Sequence, residues 1–205
     1  MVQTILITGA STGIGAAVAR RLAPGNQLLL HYHAALDAAE ALAADARAAG
    51  AEVHLLRADL TAEDGCRALA AEAAQRVAKL DVLVNNAGGL IRRCAARQLE
   101  WQLMEQTFAL NTFSAMLLSS LCIPLLERGR QPCIVNVTSI AVRHGAPTAT
   151  IYGAAKGAMD VFTRGLAKEL APTIRVNAVA PGVIETPFHE KVSTPEQLAK
   201  FRDAT

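Results

Sequence analysis

The stretch Thr8-Gly9-Ala10-Ser11-Thr12-Gly13-Ile14-Gly15 lies between an apolar run at residues 4–8 and a helix candidate at residues 14–22. Glycines so placed permit a tight turn, close approach of the backbone to a pyrophosphate, and close helix–sheet packing. The following helix start offers free N–H groups and the positive end of a dipole to phosphates. Taken alone, the stretch could be an ordinary Gly-rich turn with Ser11 or Thr12 capping a helix. Its position after a first strand, at the head of a long strand–helix series, favours a dinucleotide site. No Gly-Lys-Ser/Thr follows, which argues against a P-loop nucleotide hydrolase.

Working outward, further strands are expected at residues 28–31, 53–57, 82–85, 134–138 and 174–180. Helices are expected at 36–49, at 62–77 with Thr61 as N-cap, over roughly 100–127, and at 151–170. The strands are apolar on both faces, as in a sheet covered by helices on both sides. Alternating units of this length predict an α/β fold: a doubly wound parallel sheet in a Rossmann-type three-layer sandwich. Residues 1–205 read as one domain. The stretch 181–205 has little strand character, and a short helix is expected from Thr194-Pro195-Glu196.

Composition bounds the function. The chain is 52% hydrophobic and 19% charged with a net charge of +2, and carries no dense Lys/Arg stripe. Nucleic acid and membrane are therefore not expected partners. Cys66, Cys94, Cys122 and Cys133 form no CxxC pair, so a disulfide framework or zinc site is not expected and a reducing cytoplasm fits. No signal peptide or spanning segment is expected. His31 and His33 fall on one side of a strand as two ligands could, but without a third nearby they read as a polar strand end, and no metal is expected.

A second constellation carries the chemistry. Tyr152-Gly153-Ala154-Ala155-Lys156 opens the helix after the fifth strand, and residues four apart share a face. Ser139 ends the preceding strand, and ligands of such sheets bind at the C-terminal strand ends. A hydride delivered to a carbonyl carbon leaves an alkoxide that needs a proton. A free tyrosine has a pKa of about 10, and one ammonium about 5 Å away favours its phenolate by roughly 3 kcal/mol. Lys156 is thus expected to lower Tyr152, which exchanges the proton while Ser139 orients the substrate oxygen.

The spacing TGxxxGIG resembles the short-chain dehydrogenase/reductase family, in its short single-domain branch. Asn85-Asn86-Ala87-Gly88 resembles the family's NNAG motif, Asp59-Leu60 its pair beside the adenine, and Pro181-Gly182 with Ile184 and Thr186 its PG-x-I-x-T segment. The match runs in family order from residue 4 to about 188. The resemblance implies a catalytic set of Asn111, Ser139, Tyr152 and Lys156, with Asn111 holding a water that links the lysine to solvent. It implies cofactor contacts from Gly9, Ser11, Thr12, Gly13, Ile14, Gly15, Tyr32, His33, Asp59, Leu60, Asn86, Ala87, Gly88, Tyr152, Lys156, Pro181, Gly182, Ile184 and Thr186.

An acid at the end of the second strand would bind the ribose 2′-OH of NAD, and a cation the 2′-phosphate of NADP. Leu30-His31-Tyr32-His33 has no acid, and Asp37 comes later, inside the next helix. Thr12 stands where NADP-preferring relatives often carry arginine, and no Arg or Lys is expected near His33. The lean is towards NADP. Candidates for the substrate wall are Gly89, Leu90, Ile91, Val142, Arg143, His144, Val183, Phe188 and His189. The resemblance to 3-oxoacyl-carrier-protein reductases and to sugar or polyol dehydrogenases implies a small carbonyl or alcohol substrate, a 3-oxoacyl or similar keto compound being favoured. It also implies a homo-oligomer, dimer or tetramer. Members usually continue with another helix and strand, so a longer natural protein is expected. The other reading is a cofactor-binding sensor or scaffold without turnover.

Overall fold

Leucine, isoleucine and valine dominate the runs that form the sheet. In the computed structural model, which describes residues 2–184 with Thr186 and Glu196, these are β1 (Thr4–Ile7), β2 (Gln27–Tyr32), β3 (Glu52–Arg57), β4 (Val82–Asn85), β5 (Cys133–Val137) and β6 (Arg175–Val179). Every pairing is parallel and the order is β3-β2-β1-β4-β5-β6. Strand order reverses at β1, which lies between β2 and β4, and that opens a crevice at the C-terminal strand ends.

Alternate residues of each strand feed opposite cores. Leu6, Leu29, Leu83 and Ile134 pack with α3 (Glu63–Arg76), α5 (Ser114–Leu126) and α7 (Thr150–Leu170). Ile5, Ile7, Leu28, Leu30 and Val84 pack instead with α1 (Gly13–Leu22) and α2 (Leu36–Ala48). Alanines such as Ala16, Ala19, Ala43 and Ala46 bring the latter helices close to the sheet. The expected three-layer architecture is the one observed.

The helix expected over 100–127 is present but interrupted. It comprises α4 (Trp101–Phe108), a π turn (Ala109–Phe113) and α5, with Asn111 inside the turn. By length and composition alone, Trp101–Leu126 could cross a membrane, but half of its apolar window is buried within the protein and α5 packs on α3. Thr61 does not cap α3. The helix starts one residue later than expected with Ala62 as N-cap, because the Thr61 hydroxyl is bonded to Asp59 Oδ1 at 2.7 Å. A short α6 (Ala141–His144) and a 3₁₀ turn (Ala96–Gln98) were too brief to show a periodicity. The helix expected from Thr194 lies outside the described residues except for Glu196, which is helical.

At the opposite end of the sheet, Asp81 joins three segments just before β4. Its buried carboxylate accepts the Thr4 and Arg130 N–H groups and pairs with Lys79 Nζ at 2.8 Å. Burial opposes its charge, but these donors outweigh burial and hold the carboxyl below the usual carboxylate range.

Candidate active site

A cavity of about 600 Å³ follows the crevice from the glycine loop to the start of α7. Gly9, Ser11, Thr12, Gly13 and Ile14 form one wall; His33, Asp59 and Leu60 lie at one end. Asn86, Ala87 and Gly88 follow β4, Ser139 follows β5, and Tyr152 and Lys156 come from α7. Pro181, Gly182, Ile184 and Thr186 complete it. Two residues expected among the cofactor contacts stand off this wall. Tyr32 presents its backbone carbonyl to Ala58 N–H. Gly15 packs behind the loop, where a Cβ would lie 2.4 Å from the Gly9 carbonyl oxygen.

The loop is held by the segment after β4. Asn86 Nδ2 donates to the Thr8 and Gly9 carbonyls at 2.8 and 2.9 Å, and Thr8 Oγ1 accepts the Asn86 and Ala87 N–H groups. Asn85 points the other way into the interior, donating to Ser119 Oγ and Asn136 Oδ1. At the β3 end, two hydrogen bonds from Thr61 draw the Asp59 carboxyl below its ordinary range. Strand register also brings a cation, off the cavity lining, to the His33 backbone, which sequence reading did not show. Arg57 pairs with Tyr32 across β3 and β2, and its Nε donates to the His33 carbonyl at 3.2 Å.

Lys156 is buried, donates to the Val137 carbonyl at 2.8 Å, and lies 5.9 Å from the Tyr152 ring centroid. Burial lowers its ammonium to about 8. Tyr152 differs from expectation: burial raises its phenol above the ordinary value, while hydrogen bonding with Ser139 acts in the opposite sense. Asn111 is buried in the π turn. Its Oδ1 accepts Gly89 N–H and its Nδ2 donates to the Gly89 and Thr107 carbonyls, each at 2.9 Å. Gly88 lies between Asn111 and Lys156; a Cβ there would come within 2.8 Å of Asn111 Oδ1 and 2.9 Å of Lys156 Nζ. The structure thus brings two of the four predicted catalytic positions, Asn111 and Lys156, to one glycine; Ser139, Tyr152 and Lys156 line the cavity, whereas Asn111 stands off it.

The substrate side is only partly as expected. Leu90 and Val183 line the cavity, whereas Gly89, Ile91, Val142, Arg143 and His144 do not, and Phe188 and His189 lie outside the described residues. The wall also contains Leu110, Ile140, Ala146, Pro147 and Arg93. Arg93 Nη1 donates to Thr148 Oγ1 at 3.2 Å, so the cation on this wall comes from the loop after β4 and not from Arg143.

A family profile described as short chain dehydrogenase matches residues 3–197. The chain belongs to that family. An uncharacterized oxidoreductase of Bacillus subtilis, YmfI, is 38% identical over 99% of this chain and 83% of its own length. A 3-oxoacyl-[acyl-carrier-protein] reductase of Synechocystis is 34% identical over 97% of this chain and 81% of its own. Among solved structures, the Pseudomonas aeruginosa RhlG/NADP active-site complex superposes with a TM-score of 0.87 at 31% identity, covering 96% of this chain and 78% of that one. The NADH-dependent reductase A1-R' complexed with NAD gives 0.84 at 32% identity, covering 89% and 79%. The protein is an NAD(P)-dependent oxidoreductase with a Rossmann fold. Its glycine loop fits such a cofactor: Gly9 and Gly13 adopt φ of +60° and +55°, opening the turn beside the start of α1.

Proposed function

We propose that this enzyme reduces the ketone of a 3-oxoacyl-type or related carbonyl compound to a secondary alcohol, with NADP preferred. The convergence of Ser139, Tyr152 and Lys156 on the cavity that holds the glycine loop carries this reading. When bound, the nicotinamide supplies hydride to the carbonyl carbon in reduction and accepts it in oxidation. Tyr152 gives its hydroxyl proton to the carbonyl oxygen as the alcohol forms, and takes it back in the reverse direction. Ser139 hydrogen-bonds the same oxygen and orients it. The raised phenol keeps Tyr152 protonated and ready to donate at neutral pH. Lys156, charged below about pH 8, eases that proton loss from the same helix face. Asn111 fixes the Gly89 backbone beside it.

The preference for NADP rests on the end of β2. It carries no acid, and the Arg57 guanidinium is anchored to the His33 carbonyl. Apolar lining around Leu90, Leu110, Ile140 and Pro147 suits an acyl chain or ring, and Arg93, held by Thr148, places a cation on the same wall. Exposed Trp101, Phe113 and Val161 on α4, the π turn and α7 support self-association as a dimer or tetramer. A cytoplasmic setting agrees with four free cysteines, three of them buried.

Absorbance loss at 340 nm with NADPH and then NADH, across 3-oxoacyl esters and simple ketones, tests the reading. Turnover of a 3-oxoacyl ester at lower NADPH than NADH is expected. Replacing Arg57 by Ala should raise KM for NADPH roughly tenfold and leave that for NADH nearly unchanged. Tight cofactor binding without turnover on any ketone would instead favour a sensor.

A further inference from the structure

We infer that His31 is a positioning residue for the cofactor site: its neutral ring ties the glycine loop to the segment after β3. This rests on the assignment of the glycine loop to the cofactor. His31 lies near the end of β2, is 3% exposed, and edges the cavity without belonging to the catalytic group.

Its two nitrogens face partners of opposite kind. The backbone N–H of Gly9 points at Nδ1 from 3.0 Å, and the carbonyl oxygen of Ala58 lies 3.1 Å from Nε2. Gly9 N–H can only donate, so Nδ1 must be the bare, accepting nitrogen. The Ala58 carbonyl can only accept, so Nε2 must carry the proton. One neutral tautomer satisfies both partners. The other tautomer leaves both unsatisfied, and the doubly protonated ring sets two N–H groups against each other at Gly9.

Backbone bonds reinforce the tie: Ala10 N–H donates to the His31 carbonyl and Ala58 N–H to the Tyr32 carbonyl. One ring therefore spans three segments, the loop after β1, strand β2 and the turn leading to Asp59. It fixes the distance between the wall that faces a pyrophosphate and the end that faces an adenosine. The geometry also commits the Gly9 and Ala10 N–H groups to the protein and leaves the donors nearer the start of α1 to phosphate. Burial holds the His31 ring below the usual histidine range and so favours its neutral form, and His33, just past the end of β2, adds to this; the Ala58 bond and Asp59 oppose it. The glycine loop itself brings no charged side chain to the ring.

Nitrogen-15 NMR of the cofactor-free protein at neutral pH reads the tautomer directly. A bare Nδ1 and a protonated Nε2 at His31 are expected, and a protonated Nδ1 would overturn the inference. Fluorescence titration with NADPH and NADH then compares wild type with two variants. His31→Asn places an amide oxygen where Nδ1 stood and should keep Kd within about threefold. His31→Phe keeps the volume but orphans Gly9 N–H and Ala58 C=O, and should raise Kd about 10- to 100-fold. Its kcat at saturating cofactor should stay within about threefold of wild type. Equal cofactor affinity in His31→Phe would overturn the inference, as would a kcat loss with Kd unchanged. If His31→Phe does not fold, the tautomer and the His31→Asn affinity still decide. A wild-type protein that binds neither dinucleotide would instead refute the cofactor assignment beneath it.

Discussion

Lys156 is expected to leave its mark on the pH dependence. Burial places its ammonium at about 8 against an ordinary 10.5, so the cation is lost as pH rises through that value. The profile of kcat/KM, which reports the free enzyme, should therefore fall above pH 8 in the reductive direction, and Lys156→Met should lack that limb. For stability the sign is opposite: between about 8 and 10.5 the unfolded chain binds this proton more tightly, so stability rises with pH. The shared cavity of Tyr152, Lys156 and Ser139 was legible because two are one helical turn apart and the third follows a strand that feeds the same crevice. Arg57 was not, because its place beside His33 comes from cross-strand register between segments 24 positions apart. Nor was the role of His31, since burial and tautomer do not show in residue type.

Between elements, the π turn around Asn111 is where folding and site meet. The apolar run from 100 to 127 reads as one helix, and nothing in its periodicity marks the extra residue. Within the turn, Asn111 bonds both backbone groups of Gly89 and the Thr107 carbonyl. Asn111→Ala should leave these groups unpaired and cost about 2–3 kcal/mol in urea unfolding, together with a loss of kcat. A variant of wild-type stability would show that the turn is set by packing against α7 alone. Thr61 teaches the same lesson in the other direction: it had the chemistry of a cap, but Asp59 competes for its hydroxyl.

Across the whole molecule the two ends of the sheet divide the work. The C-terminal strand ends carry the cavity, and the opposite end is fastened by Asp81 to β1, to Lys79 and to the loop before β5. Asp81→Asn should lower Tm by roughly 5–10 °C, a loss of about 2–3 kcal/mol, with KM for cofactor unchanged. Because its folded pKa is depressed, the stability Asp81 contributes is present above its ordinary value of 3.8 and is lost as pH falls below it. Layer order and strand direction were readable at this scale, since apolar strands alternating with helices admit few right-handed solutions. The substrate wall was not, because loops after β4 and β5 supply it and Arg93 reaches it through Thr148. The most direct test of the central claim is kcat for Tyr152→Phe beside its Kd for NADPH. We expect kcat to fall about 10²–10⁴-fold with Kd within a few-fold of wild type. A Tyr152→Phe enzyme that still reduces its ketone at the wild-type rate would contradict it.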